Sequence, residues 1–379
     1  MKDNIVGIGV VGAGAIGVRS ALMHFELPDV QDQARIVAVC DTLADRAKAA
    51  AEKYHVPAWY GSFEELLDDP DVDMVTICSP IGLHYEQVKR ALLAGKHVHC
   101  NKTITTTVAE IDDLMRLADA KGLKVVASPG MMLMPHNQRM RRAILEGRLG
   151  RVTLAITGGS GGQMYHLNEP YRHGNDLLSN ANPTWYFKKP GGGPLYDVTV
   201  YSLNILTGIL GPAKRVSAFS GQMIPEYEFR GEKISSEIDD TTLISLDFGG
   251  QLNGMCYAAV EGDLGGKVGG FTPIILGGKA RLNGAQLGDK SLIYEGDHEP
   301  HVTPAHKLLP ENHVFEDIMQ LVGWIREGQS SIANMDHARH VIDIIESAYA
   351  SAASGQTIVL KPTNYQPLPI ERLAEISDV

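Results

Sequence analysis

Near its start the chain reads Gly12-Ala13-Gly14-Ala15-Ile16-Gly17, directly after the apolar run 5–11. The next apolar run, 36–40, ends in Asp41, 24 residues beyond Gly17. A strand, a glycine turn, a helix and an acidic residue after a second strand are the parts of a dinucleotide-binding fold. Each residue has a physical task. Gly12 lets the backbone turn sharply, Gly14 leaves room for a pyrophosphate, and Gly17 lets helix and strand pack closely. A helix opening at Ala15 and Ile16 would aim its N–H groups and positive dipole end at the phosphates. Asp41 can accept hydrogen bonds from ribose hydroxyls and would repel a 2′-phosphate, so NAD is expected over NADP. Arg46, five residues on, could lie over the adenine or soften that preference.

A length of 379 residues suggests about two domains. A formal net charge of −11 with no basic block argues against nucleic acid and anionic membranes as partners. The one apolar N-terminal run is the first strand itself, so neither a leader peptide nor a membrane span is expected. Cys40, Cys78, Cys100 and Cys256 show no metal-like spacing, the His residues are scattered, and a reducing cytoplasm is the simplest compartment. No metal site is expected.

Through residue 130 short apolar runs alternate with helical stretches. Strands are expected at 5–11, 36–40, 74–78, 97–100 and 124–127. Helices are expected at 15–25, 42–54, 62–67, 84–94 and 107–121. This alternation implies a parallel sheet covered on both faces. Ligands bind such sheets at the carboxyl ends of the strands, where Asp41, Ser79-Pro80 and Asn101-Lys102 fall. The division expected is a Rossmann domain over 1–130 and an α/β domain over 131–379.

Beyond Pro129 longer β-like runs appear at 152–157, 215–220, 241–248, 254–260, 273–282 and 292–294, after a helix at 135–146. They predict a large, open-faced, mostly antiparallel sheet. Helices return at 315–327 and 336–354, with Asn312 and Asn334 placed as caps. Helices can cover one sheet face and leave the other for a subunit interface, so a homodimer or homotetramer is expected.

Three segments are placed for chemistry: Ser79-Pro80-Ile81-Gly82-Leu83-His84, Cys100-Asn101-Lys102-Thr103, and Gly191-Gly192-Gly193-Pro194-Leu195-Tyr196-Asp197 running on to Tyr201. With the glycine turn, they resemble the glucose–fructose oxidoreductase, inositol dehydrogenase and rhizopine catabolism family over nearly the whole chain. The resemblance implies a Rossmann domain followed by an open-sheet domain, NAD or NADP as cofactor, and oxidation or reduction of sugars, inositols and glycosides. It places Lys102 and Asp197 at the family's catalytic Lys and Asp. The sequence departs from the family with Asn101 and Thr103 around the lysine, and with Tyr201 where His is usual.

Alcohol oxidation needs a base for the hydroxyl proton while hydride leaves for the nicotinamide. Lys102 at a strand end would lie beside that ring, where burial and positive charge lower an ammonium pKa. Tyr201, four residues after Asp197, would share its helix face and could relay the proton with Lys102. Ser79, Pro80, His84 and Asn101 are the remaining candidate cofactor contacts.

The long stretch 158–193 lacks periodicity and holds Tyr165, His166, Arg172, His173 and Trp185, candidates for binding a polyol by stacking and hydrogen bonds. The expected activity is NAD-dependent oxidation of a ring hydroxyl of a sugar, glycoside or cyclitol. The alternatives are a redox-neutral glycoside-cleaving enzyme acting through a transient keto-sugar, and a non-catalytic NAD-binding regulator.

Overall fold

The computed structural model describes residues 4–160, 165–168, 172–260 and 271–377. They divide into two compact units. The first takes the described residues of Met1–Gly130, His166–Trp185 and Pro300–Met335. The second takes those of Met131–Tyr165, Tyr186–Glu299 and Asp336–Val379. Residues 166–185 and 300–335 follow the expected boundary at 130 yet belong to the first unit. Their return to the first unit is a tertiary feature that composition and periodicity do not carry.

The first unit is built on six parallel strands: β1 (Val6–Val11), β2 (Ala34–Cys40), β3 (Ala58–Tyr60), β4 (Met74–Ile77), β5 (His97–Cys100) and β6 (Val125–Ala127). Their order is β3-β2-β1-β4-β5-β6, so the winding reverses between β1 and β4. Every residue of β1 and β4 is buried, which explains the near-continuous apolar runs. Helices Ala44–Lys53, Phe63–Asp68, His84–Leu93 and Val108–Lys121 connect the strands. The last opens on a reciprocal cap in which the Thr107 hydroxyl accepts from the Glu110 N–H and the Glu110 carboxylate accepts from the Thr107 N–H.

The returning helix Asn312–Glu327 packs across β1, β5 and β6. Its Asp317 accepts from the Ser128 hydroxyl at 2.6 Å and the Gly130 N–H at 3.1 Å, just beyond β6. Asn312 is the first helical residue and not the cap. Glu311 occupies that position in the left-handed region, with φ 57°.

Two further differences are local. The helix after the glycine turn is wound as a π-helix over Gly17–Leu22, with the Met23 N–H reaching the Val18 carbonyl, and it gives way to a 3₁₀ turn at His24–Glu26. The short strand β3 had no signal of its own. Three residues, one exposed and two half-buried, are too few to show alternation.

The second unit carries a nine-stranded sheet. Its members are β7 (Val152–Ser160), β8 (Arg215–Gly221), β11 (Thr241–Gly249), β12 (Leu252–Ala259), β13 (Ile274–Gly277), β14 (Arg281–Asn283), β15 (Gln286–Leu287), β16 (Lys290–Ser291) and β17 (Ile358–Val359). A separate hairpin pairs β9 (Glu226–Phe229) with β10 (Glu232–Ser235). Only β7 and β12 pair in parallel among the described strands of the large sheet.

The run 273–282 is two strands, because the chain turns at Gly277-Gly278 to pair β13 with β14. Residues 292–294 form no strand. There Leu292 is buried and Asp297 holds the Tyr294 N–H in a turn.

Helix Val200–Leu210 packs on β7, and helix Met335–Ser354 reaches the sheet where the Ala218 N–H donates to the Ser351 hydroxyl. On the opposite face Phe219, Leu243 and Tyr257 lie side by side across β8, β11 and β12, with Phe219 82% exposed.

Candidate active site

The carboxyl ends of β1, β2, β4 and β5 meet around the reversal in strand order. Ligands bind open α/β sheets at such a point, because the connections leave it in opposite directions and open a crevice.

After β1, Gly12 turns at φ +96°, and its N–H donates to the Cys40 carbonyl at the end of β2. A methyl group on Gly17 would sit 2.0 Å from the Gly12 carbonyl oxygen, so this position admits only glycine. A methyl on Gly14 would meet no atom within 4 Å. The space beside the turn is therefore open at this position. The three glycines thus differ: Gly12 turns at positive φ, Gly17 is closely packed, and Gly14 is open.

Asp41 follows β2. One carboxylate oxygen accepts from the Ala13 N–H at 3.0 Å, and the other from the Leu43 N–H at 2.9 Å. The carboxylate is thus fixed beside the glycine turn with acceptor capacity to spare. Arg46 lies 3.6 Å from it.

After β4, the Ser79 hydroxyl donates to the Gln87 side chain. After β5, the Asn101 side-chain oxygen accepts from the Lys102 N–H at 2.7 Å. The amide that replaces the family's usual carboxylate thus folds back on its own loop. Lys102 is half-buried, and the peptide bond to Thr103 is cis.

His84 ties these two loops together. Its Nδ1 lies 2.9 Å from the Thr103 carbonyl oxygen and its Nε2 lies 2.8 Å from that of Ser79. The ring is 1% exposed. Burial pulls its pKa below the usual value, the two carbonyls pull it up, and the Lys102 charge pulls it down again, with burial largest. The neutral ring donates to one carbonyl at a time. The sequence suggested direct cofactor contact for His84. The structure places it instead beneath the loops that carry Ser79 and Lys102.

Sequence reasoning missed another group in the same unit. Glu311, in its left-handed conformation, pairs with Arg19 of the glycine-turn helix at 2.8 Å and lies 3.8 Å from His313. Burial is the largest influence lowering the pKa of His313, and the Lys102 charge lowers it further. A non-glycine residue at positive φ is the kind of strained position found at functional sites, but no local sequence pattern marks it.

Of the proposed polyol-binding residues, His166, Arg172 and Trp185 come together. The Arg172 guanidinium donates to His166 Nδ1 at 2.9 Å, and the His166 and Trp185 rings meet edge to face at 5.4 Å. His166 and Arg172 are buried. His173 donates to the Leu167 carbonyl. The side chain of Tyr165 lies outside the described residues.

In the second unit Asp197 is buried on a second π-helical stretch, Leu195–Thr199, and its charge is felt by the buried Tyr186. The π winding ends at Thr199, and Tyr201 falls on the α-helix Val200–Leu210 that follows. Tyr201 is half-buried, with its ring 5.3 Å from that of Phe271.

Two family models match the chain. Residues 6–128 match the oxidoreductase family with an NAD-binding Rossmann fold, and residues 137–265 match the GFO/IDH/MocA C-terminal domain. The chain belongs to the glucose–fructose oxidoreductase, inositol dehydrogenase and rhizopine catabolism family. It is a dehydrogenase acting on CH–OH groups.

Among its relatives is a trans-1,2-dihydrobenzene-1,2-diol dehydrogenase of Macaca fuscata fuscata, 24% identical over 82% of this chain and 83% of that protein. Another is a D-xylose dehydrogenase of Paenarthrobacter nicotinovorans, 29% identical over 64% of this chain and 63% of that protein. The fold is shared with a levoglucosan dehydrogenase solved with NADH and levoglucosan, with a TM-score of 0.70, 20% identity and coverage of 94% of this chain and 100% of that one.

Proposed function

We propose that the chain oxidises a ring hydroxyl of a sugar, glycoside or cyclitol, with NAD as the hydride acceptor. The observation that carries this reading is the convergence of four loops at the reversal of strand order: the open turn at Gly14, the fixed Asp41, and the Ser79 and Lys102 loops tied by His84. The residues fit a dinucleotide. The Gly14 turn and the N–H groups from Ala15 and Ile16 would hold the pyrophosphate, and Asp41 the adenosine ribose. Ser79, Pro80, Asn101 and Lys102 would line the nicotinamide end. A 2′-phosphate would meet the Asp41 carboxylate, which supports NAD over NADP. When bound, the nicotinamide supplies a hydride acceptor. Lys102 takes the hydroxyl proton.

NADH formation by the purified protein with NAD and a panel of free sugars, inositols and glycosides tests this reading. Production of NADH with one substrate class supports it. Tight NAD binding with no NADH from any of them overturns it.

We also propose a homo-oligomer joined through the outer sheet face. Phe219 and Leu243 are large, exposed and adjacent there, as expected of a surface that another copy covers. A change of both to Glu should shift the protein to a monomer in light scattering. An unchanged mass would place the interface elsewhere. No described helix is long and apolar enough to cross a membrane. The four cysteines are buried and form no disulfide, in keeping with a reducing cytoplasm.

A further inference from the structure

The Arg46 guanidinium does more than face Asp41. Its Nε donates to the Leu177 carbonyl at 2.9 Å, and its Nη2 donates to the Asn180 side-chain oxygen at 3.4 Å, while Nη1 lies 3.6 Å from Asp41. Two of its three nitrogens therefore donate to a segment more than a hundred residues away, and the third faces Asp41 as an ion pair.

That segment is a preformed turn. The Asp176 carboxylate accepts from the N–H groups of Leu178 and Ser179 at 2.8 and 3.0 Å. The Gly174 N–H donates to the Ser179 carbonyl at 2.8 Å. A methyl at Gly174 would lie 1.8 Å from the Ser179 hydroxyl oxygen, so the turn is closed on itself. Where Arg46 joins the two segments, each exposes a leucine: Leu43 is 51% exposed and Leu177 39%. Apolar side chains beside a planar cation at the end of β2 suit the face of an adenine ring.

We propose that the turn formed by residues 174–180 is part of the cofactor site, and that through Leu177 and Asn180 it holds Arg46 away from a 2′-phosphate and so sets discrimination against NADP. The physical reason is competition for one cation. A free arginine five residues after the acidic residue could swing to a 2′-phosphate and offset the repulsion from Asp41. An arginine already donating to the turn must give up those bonds first. Specificity here is a difference between two affinities, and the turn adds to the cost on the NADP side.

This inference rests on the dinucleotide reading above. The test titrates NADH and NADPH into the full-length protein by nucleotide fluorescence, for the wild type, Asn180→Ala and Asn180→Asp. The wild type should favour NADH. Asn180→Ala should lower the NADH-to-NADPH affinity ratio by about threefold to tenfold, the worth of one long, ordinary hydrogen bond. Asn180→Asp adds a carboxylate beside Arg46 and should raise the ratio. General loosening of the fold would weaken both nucleotides together and leave the ratio alone. A wild type that discriminates, with the same ratio in both variants, overturns the role of the turn. A wild type that favours NADPH overturns the inference and leaves the dinucleotide site standing. Failure to bind either nucleotide overturns the dinucleotide reading itself.

Discussion

Gly14→Ala separates the cofactor cradle from the scaffold that holds it. A Cβ at Gly14 meets nothing within 4 Å, and its φ is not in the left-handed region. The alanine is therefore accommodated, and the lost backbone freedom of the unfolded chain should stabilise the protein by about 0.4–1 kcal/mol. The same methyl stands where the pyrophosphate would approach the turn. Pushing it away weakens charge-assisted hydrogen bonds worth about 1.5–3 kcal/mol each. Loss of one such bond predicts a rise of about tenfold to a hundredfold in the Kd for NADH. Gly17→Ala is the control with the opposite cause. Its methyl lies 2.0 Å from the Gly12 carbonyl oxygen, so the backbone must move, at about 1–3 kcal/mol or more. Thermal melting and fluorescence titration of both variants provide the assay. Gly14→Ala should melt at or above the wild-type temperature and bind NADH poorly, whereas Gly17→Ala should lose both properties. Wild-type affinity in Gly14→Ala would refute the placement of the phosphates.

Two further predictions concern buried imidazoles. Burial holds His24 and His340 at about 4 and His99 and His337 at about 3, below the usual 6.5. The unfolded chain then binds more protons below pH 6.5, so stability is full above that pH and falls as pH drops toward the folded values. Each ring should cost about 1 kcal/mol between pH 7.5 and 5.5, read from urea midpoints at the two pH values; equal midpoints would contradict the neutral buried rings. His84→Phe leaves the Ser79 and Thr103 carbonyls without their ring partner, at a cost of about 1–3 kcal/mol, and should lower kcat through the Lys102 loop more than Asn101 or Ser79 changes that leave the tie intact. Wild-type stability and kcat in His84→Phe would remove that role.

The glycine turn and Asp41 were legible because their information is local. Three glycines follow one apolar run and an acid ends the next at fixed spacing, and the first of those runs is a strand buried throughout. The large second sheet was legible for a related reason, since β8 and β11 alternate buried and exposed residues along their length. What the sequence concealed depends on distance along the chain. Arg46 and Asn180 are 134 residues apart, and Ser128 and Asp317 are 189 apart. Neither partner carries a pattern that points to the other.

His84 was recognised as chemistry-bearing, but its two carbonyl partners are backbone atoms, which any residue type supplies. The π winding at Gly17–Leu22 and Leu195–Thr199 escaped because apolar spacing there is compatible with an ordinary helix. Glu311 took the left-handed position before helix Asn312–Glu327, where the side-chain preference of Asn312 had suggested a cap.

The most direct test of the account is Lys102→Met assayed beside the wild type with the substrate that the panel identifies. Steady-state NADH formation and NADH binding are measured on the same preparations. The kcat should fall by about a hundredfold to ten-thousandfold, the usual contribution of a positioned acid–base group, with NADH affinity nearly unchanged. Turnover at the wild-type rate would contradict this role for Lys102 and place the proton transfer on another residue.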